Sequence, residues 1–212
     1  MIDVVSDVVC PWCFVGKRRL EQALKALPDT PVKVSWRPFQ LDATIPSEGM
    51  RRQDYMLRKF GSAERIAELQ KPLLAAGAAL GIPFAFDKIT VSPNTLNAHL
   101  LLKWADAAGR QEAMAERLFQ LYFTEGGDLS NQETLVEAAA EAGLDGTLVA
   151  QLLASQADLA AVVEEIGHAR SLGISSVPTF IIANRYAVAG AQGPESLVSA
   201  ITRASLEARA EA

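Results

Sequence analysis

Residues 7–18 read Asp7-Val8-Val9-Cys10-Pro11-Trp12-Cys13-Phe14-Val15-Gly16-Lys17-Arg18, and both cysteines of the chain lie within this stretch. Upstream, Val4, Val5, Val8 and Val9 are β-branched, interrupted by Asp3 and Ser6, so the first ten residues read as a strand. Downstream the signals are helical. Pro11 suits a first helical position, whose N–H has no intrahelical partner. Leu20, Leu24 and Leu27 then form an apolar stripe. Pro28-Asp29-Thr30-Pro31 stops that helix, and Val32 to Phe39 alternates as a second strand. Strand, Cys-x-x-Cys helix and strand make a βαβ crossover, which pairs its strands in parallel.

A Cys-x-x-Cys at a helix N-terminus has the parts needed for thiol–disulfide exchange. Unpaired backbone N–H groups and the positive end of the helix dipole favour the thiolate of the first cysteine. The second lies one turn in, within bonding reach. Cys10 is therefore the expected nucleophile and Cys13 the resolving thiol. Trp12, between them, carries no titratable proton and is expected to be exposed beside the substrate. Asp7 would oppose a thiolate; Lys17, Arg18 and Arg19 would favour it only by reaching back to the helix start. A structural zinc site is the rival reading. It needs four ligands, and the other histidine candidates, His99 and His168, share no finger-like spacing. Two inert core cysteines are the remaining alternative.

From about residue 50 to 172 the pattern is mainly helical. Segment 62–80 is rich in Ala and Leu; Ser92-Pro93 suggests an N-cap and first turn; Ser130-x-x-Glu133 has the capping-box spacing. Strands return with Pro178-Thr179-Phe180-Ile181-Ile182-Ala183 and Tyr186-Ala187-Val188-Ala189, and Gly193-Pro194 opens a last helix to about Arg209. The order is β-α-β, about 120 helical residues, then β-β-α. This predicts an α/β chain: a thioredoxin-like domain from residues 1–48 and 173–212, with an all-helical insertion over 49–172. Gly173-Ile174-Ser175-Ser176-Val177-Pro178 precedes the third strand. A cis Val177–Pro178 bond there would pack against the cysteine pair and leave the Val177 backbone free for an extended substrate.

Composition sets the outer limits. The chain has 212 residues, 50% hydrophobic and 21% charged, enough for a sizeable core. A net charge of −5 argues against a nucleic-acid partner or an anionic membrane surface. No apolar run reaches the roughly 20 residues of a spanning helix. Met1 to Asp7 lacks the basic and apolar regions of a signal peptide, so the expected location is cytoplasmic.

Taken together, Asp7 to Arg18, Pro93-Asn94-Thr95-Leu96-Asn97-Ala98-His99, Gly173 to Phe180 and Gly190-Ala191-Gln192 resemble the DsbA-like thioredoxin superfamily. Within it they are most similar to the FrnE-like cytoplasmic branch. The resemblance implies protein disulfide oxidoreductase activity on protein or peptide thiols, with Cys10 as nucleophile, Cys13 as resolving thiol and Val177-Pro178 as the cis-proline loop. Pro11, Trp12, His99 and Gln192 are further candidate substrate contacts. No bound cofactor or metal is implied; glutathione is the candidate co-substrate, and a homodimer is compatible. Related 2-hydroxychromene-2-carboxylate isomerases and kappa-class glutathione transferases typically carry serine where this chain has Cys10. They supply the alternative of a glutathione-dependent isomerase or transferase acting on a small molecule; a non-catalytic binding or holdase module is a third. His99 is either a surface or core-edge histidine or lines the cleft above Cys10. Trp36, Trp104, Phe119 and Tyr122 are expected in the core. Arg51-Arg52 and Arg58-Lys59 are expected on a solvated helix face, and His168 on the surface.

Overall fold

In the computed structural model, residues 1–210 are described; Glu211 and Ala212, the end of the tail expected to fray, lie outside them. The chain starts with β1 (Ile2–Ser6), α1 (Pro11–Lys25) and β2 (Val34–Pro38). It leaves the sheet for β3 (Met50–Arg51), α2 (Arg52–Phe60), α3 (Ala63–Leu80) and β4 (Val91–Ser92). Next come α4 (Leu96–Ala107), α5 (Gln111–Gln120), a π turn over Leu121–Glu125, α6 (Gln132–Glu141), α7 (Gly146–Ala154) and α8 (Leu159–Ser171). It returns with β5 (Thr179–Ile182), β6 (Tyr186–Ala189) and α9 (Pro194–Ala210).

The four-stranded sheet has the order β2-β1-β5-β6, with β1 parallel to β2 and the other pairs antiparallel. All five residues of β1 are buried, as expected of a central strand covered on both faces. The βαβ expectation is met in register: Ile2 faces Val34 and Ser6 faces Pro38. The segment expected to be wholly helical also carries a two-residue ladder, β3 with β4.

Two caps differ from the sequence expectation. Ser92 does not cap a helix; it ends β4, paired with Met50. The helix opens at Leu96 behind Thr95, whose side chain makes no capping bond; one residue earlier, Asn94 Oδ1 accepts from the Leu96 N–H at 3.1 Å. Ser130 likewise yields to Asn131, whose Oδ1 accepts from the N–H groups of Glu133 and Thr134. Ser130 Oγ instead donates to the Glu48 carbonyl at 3.1 Å, a tertiary partner that local spacing cannot reveal.

One continuous core joins the sheet to the helices between β2 and β5. Phe14 of α1 stacks on Phe119 of α5, with ring centroids 5.2 Å apart. Beside this contact the same two helices share a charge cluster. Lys17, 3% exposed, holds Glu21, Glu112 and Glu116 at 2.5, 2.6 and 2.8 Å, and Arg18 forks onto Glu116. Burial alone would raise the Glu116 pKa, but hydrogen bonds from Arg18 and Lys17 outweigh it and bring the value down to about 2. A carboxylate lowered on folding stabilises above its unfolded pKa and loses that contribution as the pH falls through the folded one. Glu116→Gln should therefore cost about 1 kcal/mol at pH 7, allowing for solvent screening. The difference should shrink between pH 4.5 and 2, as read from urea midpoints across that range. A constant difference would mean that the pairing contributes nothing.

Candidate functional site

Cys10 is the N-cap of α1, with φ −91° and ψ 111°, and Pro11 occupies the first helical position. The Cys10 N–H donates to the Asp7 carbonyl at 3.0 Å, and the Cys13 N–H to the Cys10 carbonyl at 2.9 Å. These two bonds wrap the strand–helix junction into a tight turn and stack the cysteines on one side of it. Both are free thiols. Cys10 is 5% exposed and Cys13 fully buried, so only Cys10 meets the surface. Burial first, then the Cys10 sulfur, push the Cys13 thiol well above its ordinary value; the Ser6 hydroxyl and Asp7 backbone N–H oppose that rise. Cys13 thus rests as a thiol, the state suited to a group that reacts second.

The Val177–Pro178 peptide bond is cis. Across the gap, Cys10 Sγ donates to the Val177 carbonyl at 3.6 Å. The Val177 N–H has no partner among the described residues. A Pro178 side chain could not sit here against an ordinary helix. A Cβ on Gly16 would lie 2.9 Å from Pro178 Cγ and 3.1 Å from Phe180 Cζ, and only glycine admits the loop this close. The loop is held from its other side. The Gly190 N–H donates to the Pro178 carbonyl at 2.8 Å, and Arg19 of α1 bonds the Ala191 carbonyl. Gly16 lies in the stretch that decides the fold, yet local pattern gives it no role, and Arg19, just beyond that stretch, serves the Ala191 carbonyl rather than a thiolate. A glycine inside a helix is the signal that could have exposed Gly16.

Other candidates fall differently. Trp12 is half-buried against the core, not fully exposed, because its indole finds apolar neighbours. His99 is 1% exposed. Its Nε2 donates to the Phe39 carbonyl at 2.9 Å and lies 3.6 Å from Asp7 Oδ1, so it supports the loop after β2. The Asp7 carboxylate is likewise tied down, its Oδ2 accepting from the Leu41 N–H at 2.7 Å. Gln192 is exposed and folds its amide onto the Ala189 carbonyl at 3.2 Å, closing its own turn. None of the three basic residues after Gly16 reaches back: Lys17 and Arg18 serve the glutamate cluster, and Arg19 the Ala191 carbonyl. Trp36, Phe119 and Tyr122 are core residues as expected; Trp104 is only partly buried and donates from Nε1 to Asp158 at 2.9 Å. His168 is exposed. Pro11, with Val9, borders a pocket of about 150 Å³ that opens between the start of α1 and α2 and α3.

Comparison with known proteins settles the lineage. The DSBA-like thioredoxin domain model matches residues 1–202. The chain belongs to the DsbA-like thioredoxin family. A probable DsbA oxidoreductase from Streptomyces coelicolor is 33% identical, with a TM-score of 0.88 over 96% of this chain and 88% of that one. The uncharacterized protein YwbO of Bacillus subtilis is 29% identical over 95% of each chain. The cytosolic disulfide reductase DsbM from Pseudomonas aeruginosa, solved with GSH, is 22% identical, with a TM-score of 0.63 over 100% of this chain and 99% of that one. That last likeness is one of fold. Among the described residues, no single helix is long and apolar enough to cross a membrane.

Proposed function

We propose that the protein is a thiol–disulfide oxidoreductase acting on protein or peptide disulfides through Cys10 and Cys13. The observation that carries this reading is the thiol pair at the start of α1, with Cys10 the more accessible of the two at 5% exposure and 3.6 Å from the Val177 carbonyl. The Cys10 thiolate attacks one sulfur of a substrate disulfide. A Cys10–substrate S–S bond forms, the substrate bond breaks, and the departing sulfur takes up a proton. Cys13 then loses its proton and attacks Cys10 Sγ, releasing the second substrate thiol. The substrate gains two electrons, and the enzyme pair is left as a disulfide. The reverse sequence oxidises a dithiol. The Val177 N–H, without a partner among the described residues, suits the backbone of an extended substrate, with Val177-Pro178 as the binding loop.

Glutathione is the proposed thiol that returns the pair to its reduced form. DsbM, a cytosolic reductase seen with GSH, supports that choice and a cytoplasmic setting. The test is equilibration in glutathione buffers followed by free-thiol counting. A reversible two-electron transition between about −120 and −270 mV is expected, the span of working redox couples. Thiols that show no reversible transition would overturn the proposal and favour a glutathione-dependent isomerase or transferase, which needs Cys10 alone.

A further inference from the structure

The pocket beside Pro11 has a charge pattern that the exchange chemistry does not use. Arg52, Tyr55, Met56 and Lys59 recur at i, i+3, i+4 and i+7 along α2 and all line it. The double cationic stretch is therefore split: Arg52 and Lys59 face the pocket, while Arg51 and Arg58 do not line it. Sequence reasoning placed all four on a solvated face. Ile45 and Leu73 are buried in its wall, and Leu41, Phe60 and Leu69 form an exposed apolar rim. No acidic residue lines it, in a chain of net charge −5.

Both cations have acceptors but no ion pair within 4 Å among the described residues. Arg52 donates to the Tyr122 hydroxyl at 2.9 Å, and Lys59 to the Tyr55 hydroxyl at 2.7 Å. Burial holds the Tyr122 pKa up at about 12, so that phenol is neutral and supplies no counter-charge. Asp42, outside the lining, bonds Thr44, lies 3.9 Å from Arg58 and also feels the charge of Lys59, so Lys59 is partly offset from outside the pocket. Half-buried Arg52 and exposed Lys59 stand at the edge of apolar walls that carry no carboxylate, which favours an anion attached to an apolar body. The volume, about 150 Å³, holds one ring or one branched side chain.

Resting on the proposed exchange activity, we infer that this pocket selects the substrate: a polypeptide disulfide whose reactive cysteine has an apolar residue and an acidic residue beside it. The apolar side chain fills the pocket and the carboxylate pairs with Arg52 and Lys59. Val9 and Pro11 line the pocket and flank Cys10 in sequence.

The experiment compares kcat/KM for two disulfide peptides of the same sequence, one carrying Phe and Glu beside the cysteine, the other Phe and Lys. Wild type should prefer the acidic peptide by about tenfold, equivalent to ~1.4 kcal/mol. The double variant R52M/K59M should bring the ratio near one. The charge-preserving R52K/K59R should keep it, which separates loss of charge from loss of folding. Equal rates on the two peptides in wild type, or a preference that survives R52M/K59M, would overturn the inference. Turnover of hydroxyethyl disulfide by wild type, measured alongside, tests the exchange activity itself. Turnover without peptide discrimination sinks only the pocket's role, whereas no turnover of any disulfide sinks the underlying activity.

Discussion

Cys10→Ser should reduce disulfide exchange to the background rate, a loss of at least the order of 10³-fold. A serine hydroxyl stays protonated at neutral pH, and no sulfur nucleophile is left at that position to attack. Cys13→Ser should fail differently. Cys10 still attacks, but the mixed disulfide has no internal thiol to resolve it, so the covalent adduct accumulates and intact mass rises by that of the bound substrate. Because burial pushes the Cys13 thiol well above its ordinary value, wild-type resolution should accelerate as the pH rises through the usual thiol range. The raised value means fewer thiolates at neutral pH, and each added pH unit below it supplies more. Stopped-flow decay of the mixed disulfide against pH checks the sign. Full turnover by Cys13→Ser, or a resolution rate that falls with rising pH, would contradict the exchange scheme.

Gly16→Val should damage both stability and exchange. Its Cβ would lie 2.9 Å from a proline ring carbon and 3.1 Å from an aromatic one, and neither ring can fold away. Overpacking of this kind costs about 1–3 kcal/mol, which is several degrees in Tm for a chain this long. The larger effect should fall on rate. The loop that must yield is the one whose Val177 carbonyl sits 3.6 Å from Cys10 Sγ. A displacement near 1 Å at a reacting centre costs about 10²-fold. Gly167 in α8 is the control, because a Cβ there meets nothing within 4 Å. Gly167→Ala should stabilise by about 0.5–1 kcal/mol, the ordinary helix preference for alanine, and leave exchange unchanged. If Gly16→Val exchanged thiols as fast as wild type, the close approach of loop and helix would have no functional weight.

These expectations rest on features that were unequally legible in the chain. Cys10, Pro11 and the apolar stripe behind them are a local pattern: the residues that interact lie within one turn of one another, so spacing alone gave the strand–helix junction. The strand order followed from the βαβ and ββα ends, since a crossover and a hairpin each fix their neighbours. The helix starts expected at Ser92 and Ser130 fall instead behind Thr95 and Asn131, because the serines found distant partners, Met50 through the ladder and the Glu48 carbonyl. Local propensity loses to a tertiary hydrogen bond in such cases.

The sequence by itself determined the element order, the placement of the thiol pair at a helix start and the membership of the chain in its family. Each of these depends on neighbours in the chain or on order along it. Tertiary structure alone decided that His99 is sealed against the Phe39 carbonyl, that Lys17 and Arg18 turn away from the thiols, and that Arg52 and Lys59 face a pocket. It also gave Gly16 its purpose, because the Pro178 ring arrives from a segment more than 150 residues away. Direction and burial are properties of what packs against a side chain. That information is set by contacts between remote segments, and no periodicity within one helix encodes which segment will arrive.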